Sequence, residues 1–381
     1  MAYFDNAATT FPKPDIVYTY MDQYYRINGA SAGRGNYKKT LSVSQLVTDT
    51  RCKILNLLNC PAKQVVFTPT ATIALNIIIQ GLLQSEKKTV YITPFEHNAV
   101  TRTLHHFEET NAASVYQLEV DSTLHYDMNL IKKQFSKYKP DILIMSHASN
   151  VCGLIAPVEE LSILAKQFGA IVIIDMAQTA GLVHCNAGLE TVDFVVFAGH
   201  KTLYGPTGIS GFVMKPDVRV TPVLFGGTGY DSANQDMPQS LPERFEMGTL
   251  NTVGLAGLNA ALSWIEDTGV DTIRRVEHAN RETLIDILSK YKFIRLVGVE
   301  PNNDYVGVVS ALFDGISSDS CGGLLDRLGV SVRTGLQCAP LAHKFLGTFP
   351  AGTVRFSVGF FTSENDFNEL QSALDYIEEN I

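Results

Sequence analysis

From about residue 64 to 215, short apolar runs alternate with segments whose apolar positions recur at helical spacing. The runs are QVVFT, TVYIT, ASVYQLEV, DILIMSHA, AIVIIDMA and DFVVFAGH, which read as strands. Between them TATIALNIIIQGLLQ, EHNAVTRTLHHFEET, DMNLIKKQFSKY and PVEELSILAKQFG read as helices. Several strands are apolar at every position rather than at alternate ones. A strand buried on both faces reads this way, which predicts a mainly parallel sheet covered by helices. In such a sheet, binding groups collect in the turns beyond the carboxyl ends of the strands.

Past residue 250 the texture changes to long amphipathic helices, GLAGLNAALSWIEDTG and GVDTIRRVEHANRETLIDILSKY, and then to the short strands FIRLVGV and GVVSALFD. The tail is TVRFSVGF and a helix from about 364, which Ser363 and Asp366 open in a variant of the capping box. This predicts a larger α/β domain over residues 15–250 and a smaller α+β domain over 251–381, joined by segment 1–14.

Composition narrows the function classes. The 381 residues are 45% hydrophobic and 18% charged, which suits a globular fold with ample core. A net charge of −9, with no basic stretch interleaved with aromatics, disfavours a nucleic-acid partner. The most apolar helix segment, IALNIIIQGLL, is too short for a membrane span and carries Asn76 and Gln80; no signal peptide is evident, so a cytoplasmic protein is expected. The six cysteines at 52, 60, 152, 185, 321 and 338 show neither a C-x-x-C pair nor zinc-like spacing, so no metal site is expected. Five of them read as small buried hydrophobes; Cys338 differs in its neighbours.

Two strand ends carry candidate chemistry. FVVFAGHK closes at His200 and Lys201, and AIVIIDMAQ delivers Asp175 and Gln178 to the equivalent place. An amine and a carboxylate at the carboxyl edge of a parallel sheet suit pyridoxal phosphate. That cofactor needs an amine to hold its aldehyde as a Schiff base and an acid to keep its ring nitrogen protonated. Thr70, Ala71 and Thr72 open a helix directly after QVVFT, where backbone N–H groups and the dipole favour a phosphate. Glycine loops of the dinucleotide or P-loop kind are absent, which weighs against a nucleotide enzyme.

These segments, with DNAATT near the start, EHNA at 96–99, SHASNVCG at 146–153, FEMGT at 245–249, RTGLQCAP at 333–340 and TVRFSVG at 353–359, occur in the order seen in class V aminotransferase-fold enzymes. The chain most closely resembles the cysteine desulfurases and selenocysteine lyases. The resemblance implies an α/β enzyme of fold type I, aspartate aminotransferase-like, that binds pyridoxal 5'-phosphate and works as a homodimer. It makes Lys201 the cofactor-bearing lysine, Asp175 the partner of the pyridine nitrogen and Gln178 the neighbour of the phenolic oxygen. His97 matches the histidine that stacks on the ring and assists proton transfer, and Asn150 a position that contacts ring or substrate. Thr72 and His200 match phosphate-binding positions, Thr249 a phosphate contact donated by the other subunit, and Arg355 the clamp on the substrate carboxylate.

The same resemblance makes Cys338 the nucleophile that takes sulfur from L-cysteine, leaving alanine and a persulfide that an acceptor protein then discharges. L-selenocysteine is a second expected substrate, with selenium passed on in the same way. Relatives with the compact R-x-G-x-x-C-A segment usually carry histidines before the cysteine; here Leu336 and Gln337 stand instead. Ala198 stands where many relatives place a serine near the phosphate. Arg333 offers positive charge to the thiol. Transamination or a β-elimination that bypasses Cys338 are the rival reactions on this scaffold, and a non-catalytic scaffold is a third reading.

Overall fold

The computed structural model describes residues 1–32, 35, 37–84, 86–230 and 232–380. The chain opens with β1 (Ala2–Tyr3), α1 (Asp15–Ile27) and α2 (Lys38–Leu57). An alternating series follows: β2 (Gln64–Thr68), α3 (Ala71–Leu82), β3 (Lys88–Ile92), α4 (Asn98–Glu109), β4 (Ala113–Gln117) and α5 (Met128–Lys137). It continues through β5 (Ile142–Ser146), α6 (Val158–Gln167), β6 (Ile171–Asp175), β7 (Phe194–Ala198) and β8 (Ser210–Met214).

The strands form one seven-stranded sheet in the order β2-β8-β7-β6-β5-β3-β4. β8 runs antiparallel to both neighbours, and the others run parallel. The expected mainly parallel sheet is therefore present, and its helices cover both faces. Val65, Phe67, Leu143, Met145, Val172, Ile174, Val195 and Phe197 pack into one core. Their sequence neighbours Val66, Ile142, Ile144, Ile173, Phe194 and Val196 pack into another. Successive side chains of a strand point to opposite faces, so a sheet with two dry faces demands unbroken apolar runs. At roughly 1.5–3 kcal/mol for each large apolar side chain buried, a polar residue in these strands would be strongly selected against.

The pattern reading missed β8, α1 and α2, and for β8 and α2 the reason is physical. In β8 the run SGFVM contains Gly211, where a Cβ would strike the Val66 carbonyl oxygen of the adjacent strand. Close strand approach therefore disguises the strand as a loop. Helix α2 is rich in Thr and Ser, which lowers helix propensity, yet it buries Val43, Leu46, Val47, Thr50 and Ile54 along one face. Thr50 is satisfied inside that face: its hydroxyl donates to the Leu46 carbonyl at 2.7 Å and accepts from Asn259 at 3.0 Å.

The rest of the chain forms α7 (Thr252–Thr268), which packs on α1 and α2, then α8 (Val270–Leu288), β9 (Ile294–Val297), β10 (Val308–Phe313), α9 (Ser318–Arg327) and β11 (Val330–Ser331). β12 (Arg333–Gly335), α10 (Pro340–Phe345), β13 (Thr353–Ser357) and α11 (Glu364–Asn380) complete it. A second, antiparallel sheet has the order β12-β13-β10-β9, and β1 pairs with β11. Ala2 and Phe4 join the core under this sheet with Val309, Ala311, Val354 and Phe356. The N-terminal segment is thereby carried to β13, where Asp5 bridges Ser357. Helix α11 has the expected reciprocal cap, since Asp366 Oδ2 accepts from the Ser363 N–H and hydroxyl while the Asp366 N–H donates to Ser363 Oγ.

The FEMGT segment is tied down by Glu246, which takes both Arg51 guanidinium nitrogens at 2.9 and 2.7 Å and the Phe67 N–H at 2.7 Å. All six cysteines are free, but Cys52 is exposed, contrary to the expectation that every cysteine except Cys338 is buried. It lies on the solvent side of α2, whose packed face is set by the residues named above. Among the described residues no helix is long and apolar enough to cross a membrane.

Candidate active site

Beyond the carboxyl ends of β2, β5, β6 and β7 lies a cavity of about 290 Å³. Its wall brings together Thr72, His97, Asn150, Asp175, Gln178, His200, Lys201, Cys338 and Arg355, which are far apart in sequence. Thr249 is not in that wall; it is exposed on the surface. Segments the pattern reading left without a role also contribute, including Ala7 and Ala8 from DNAATT and Ser146 at the end of β5.

Asp175 ends β6 and is nearly inaccessible. Burial raises its carboxyl above the usual range, while the Ala177 N–H, donated at 2.9 Å, and the nearby Lys201 amine act in the opposite direction. A buried carboxylate of this kind is stabilised by a further cationic N–H group in the cavity. Lys201 follows β7 through Gly199, where a Cβ would collide with the Ile209 carbonyl oxygen, so only glycine fits against the backbone that enters β8. Burial brings the Lys201 amine down to about 8, with Asp175 opposing the shift. Gln178 is buried and donates through Nε2 to the Ala7 carbonyl at 3.0 Å.

His97 is the N-cap of α4. Its Nδ1 accepts the Ala99 N–H at 3.0 Å, so in the neutral ring Nε2 carries the proton. Burial, helped by the charges of Lys201, Arg102 and Arg355, lowers His97 to about 4 and keeps it neutral. Behind it the carboxylate of Glu96 accepts from Thr93 Oγ1 and from the N–H and hydroxyl of Ser146, which locks the end of β5. The sequence motif EHNA therefore contains a supporting acid as well as the histidine.

The N-terminal segment clasps the turn that holds Lys201. The His200 carbonyl accepts from Thr10 N at 3.2 Å, Thr9 Oγ1 at 3.0 Å and Lys13 Nζ at 2.6 Å. Burial takes the Lys13 amine down to about 7. The His200 ring, also lowered to about 4 by burial, leaves Nδ1 buried and without a partner among the described residues. With Thr72 and the first turn of α3, whose N-cap Thr70 accepts the Ile73 N–H at 3.2 Å, this makes a donor-rich pocket suited to a phosphate.

On the opposite wall Arg355 is only 3% exposed. It donates to the Asn150 carbonyl at 2.9 Å and to Asp5 Oδ1 at 2.8 Å, while its Nε has no partner among the described residues. Arg333, its register partner on β12, lies 3.7 Å from the other Asp5 oxygen. Asp5 thus holds two guanidinium groups at the mouth of the cavity, a role the DNAATT motif alone did not reveal. Asn150 gives its amide N–H to the Gln337 carbonyl at 2.6 Å and leaves Oδ1 buried and without a partner among the described residues.

Cys338 sits in the short connection between β12 and α10. The cysteine is exposed and lines both the inner cavity and an adjoining outer groove of about 550 Å³, beside His97, Asn98, Arg102 and His106.

The profile of the family described as Aminotransferase class-V matches residues 2–370. A protein named as a probable cysteine desulfurase in Vibrio cholerae serotype O1 is 30% identical over 98% of this chain and 93% of its own length. Among solved structures, the apo cysteine desulfurase of Thermococcus onnurineus NA1 superposes with a TM-score of 0.88 at 28% identity, over 100% of this chain and 95% of that one. The cysteine desulfurase CsdA of Escherichia coli gives the same TM-score, 0.88, at 25% identity and the same coverage, 100% and 95%. Sequence, fold and the order of the motifs agree: the chain belongs to the class V aminotransferase family.

Proposed function

We propose that this chain is a pyridoxal phosphate-dependent cysteine desulfurase that converts L-cysteine to L-alanine and leaves a persulfide on Cys338. The observation that carries the reading is one cavity walled by a lysine, a buried carboxylate, a buried guanidinium and an exposed thiol. The donor set suits the cofactor: Lys201 would hold its aldehyde carbon, Asp175 its ring nitrogen and Gln178 its phenolic oxygen. Thr72, His200 Nδ1 and the start of α3 would take its phosphate, with His97 against the ring. When bound, the cofactor draws electron density from the substrate carbons and so weakens the Cβ–S bond.

The chain's own groups do the rest. Arg355, whose Nε has no partner among the described residues, orients the substrate carboxylate. Lys201 Nζ, held near 8, takes and returns a proton close to neutral pH. Cys338 Sγ attacks the substrate sulfur: the S–S bond forms as the Cβ–S bond breaks, its electron pair stays with the substrate carbon, and that carbon takes up a proton. Sulfur is transferred without an external oxidant or reductant. The outer groove gives an acceptor protein access to the persulfide. L-Selenocysteine fits the same contacts.

Incubation with L-cysteine and a reductant tests the reading. Alanine and sulfide should appear in equal amounts, whereas pyruvate with ammonia, or dependence on a keto acid, would favour the rival reactions. Arg355→Lys should raise KM for cysteine by about 10- to 100-fold, since a bidentate charged contact is lost, and leave the cofactor absorbance unchanged. An unchanged KM would remove Arg355 from the carboxylate site.

Thr249, exposed in a single chain, is assigned to the phosphate site of a second copy, which makes the enzyme a homodimer with shared sites. Mixing inactive Lys201→Ala with a strongly impaired Thr249→Ala variant should restore activity in heterodimers. A fully active monomer would overturn the assignment.

A further inference from the structure

We infer that Gln337 is the positioning residue for Cys338, acting through a buried clamp that it forms with His343, Thr348 and Thr353; the inference deepens the desulfurase reading and rests on it. Gln337 and Cys338 are consecutive non-glycine residues in the left-handed region, with φ of 40° and 58°. L-residues rarely adopt this conformation, and two in succession persist only where surrounding contacts over-determine them. Those contacts are on both the main chain and the side chain.

On the main chain, the Gln337 carbonyl accepts from Asn150 Nδ2 at 2.6 Å, and the Cys338 carbonyl accepts from the Asn98 N–H at 2.7 Å. On the side chain, Gln337 turns inward and is 6% exposed. Its Nε2 donates to the Thr353 carbonyl at 3.0 Å. Its Oε1 accepts from His343 Nε2 at 2.7 Å and from Thr353 Oγ1 at 3.3 Å. An amide oxygen only accepts, so His343 Nε2 must carry the proton and Nδ1 accepts from Thr348 Oγ1 at 2.7 Å. Burial lowers His343 to about 4, so the clamp does not titrate near neutral pH.

The side chain in this position is thus no base for the thiol: it is an amide, and its polar atoms are spent on the interior. Its role is geometric. Thr353 and Arg355 lie two apart on β13, on the same face of the strand. The clamp therefore references the Cys338 turn to the strand that carries the proposed carboxylate site. A substrate held by its carboxylate has its sulfur at a set distance from that strand, and the thiol must meet it there.

Two variants test this. Gln337→Gly adopts the left-handed conformation freely and removes the side-chain hydrogen bonds together with the buried side chain; Gln337→Met fills the buried space and makes none of these bonds. Both should keep the cofactor absorbance and a KM close to the parent's, while kcat for alanine formation falls about 10- to 100-fold, as misplacement of a reacting group by about 1 Å requires. Hydrogen exchange of residues 336–339 should quicken in both. A parental kcat or parental exchange in Gln337→Gly overturns the proposal, because glycine satisfies a purely backbone requirement. If alanine formation proves independent of Cys338, the desulfurase reading fails by itself, and hydrogen exchange still decides whether the clamp exists.

Discussion

Lys201→Ala is expected to be colourless and inactive. The amine stands at the end of β7, beside the buried Asp175 and within the clasp that the N-terminal segment places on His200. On the proposed reading its loss leaves the cofactor without covalent attachment and the substrate without a proton carrier, and alanine formation should fall by at least about 10³-fold. The fold should not suffer. Because burial lowers the folded-state value to about 8, the unfolded chain binds this proton more readily. The parent's lysine therefore opposes folding below about pH 8, and its cost is relieved as pH rises toward the ordinary lysine range. Near pH 7 the cofactor-free variant should melt no lower than the cofactor-free parent. Borohydride reduction and peptide mapping of the parent provide the check: a label on any other lysine would displace Lys201 from the centre of the site.

Cys338→Ser should separate cofactor binding from sulfur transfer. Serine fits the same turn, so the absorbance of the bound cofactor is expected to match the parent's. A hydroxyl cannot form the S–S bond, so persulfide from L-cysteine should vanish and alanine formation should drop by about 10²-fold or more. Cleavage of L-selenocysteine is expected to survive, because a selenolate leaves more readily than a thiolate and needs less nucleophilic help. Mass spectrometry of the protein after brief exposure to L-cysteine, with alanine measured in parallel, reads both effects. Alanine produced from L-cysteine at the parental rate would make the thiol a bystander and move elimination or transamination to first place.

Much of the site could be read from local pattern. A strand buried on both faces announces itself by an unbroken apolar run, and the residue that ends it must stand at the sheet edge; this located Asp175 at the end of β6 and Lys201 just after β7. The helix start at Thr70–Thr72 was legible in the same way, since N-cap chemistry depends on neighbours a few residues apart. Motif order then pointed to Arg355 and Cys338.

What escaped the sequence depends on partners distant along the chain. Asp5 holds Arg355 across 350 residues, and the His200 carbonyl is clasped from 187 residues away by Lys13. No periodicity encodes such contacts. Gly211 makes β8 look like a loop because the obstacle to a side chain there belongs to β2. Gln337 reads as a missing histidine, and its inward turn is visible only once β13 and α10 pack behind it. Short-range preferences therefore determined the strands, the helices and the residues at their ends. Packing between elements decided which side chains face the cavity, which are spent holding it in shape, and where the thiol points.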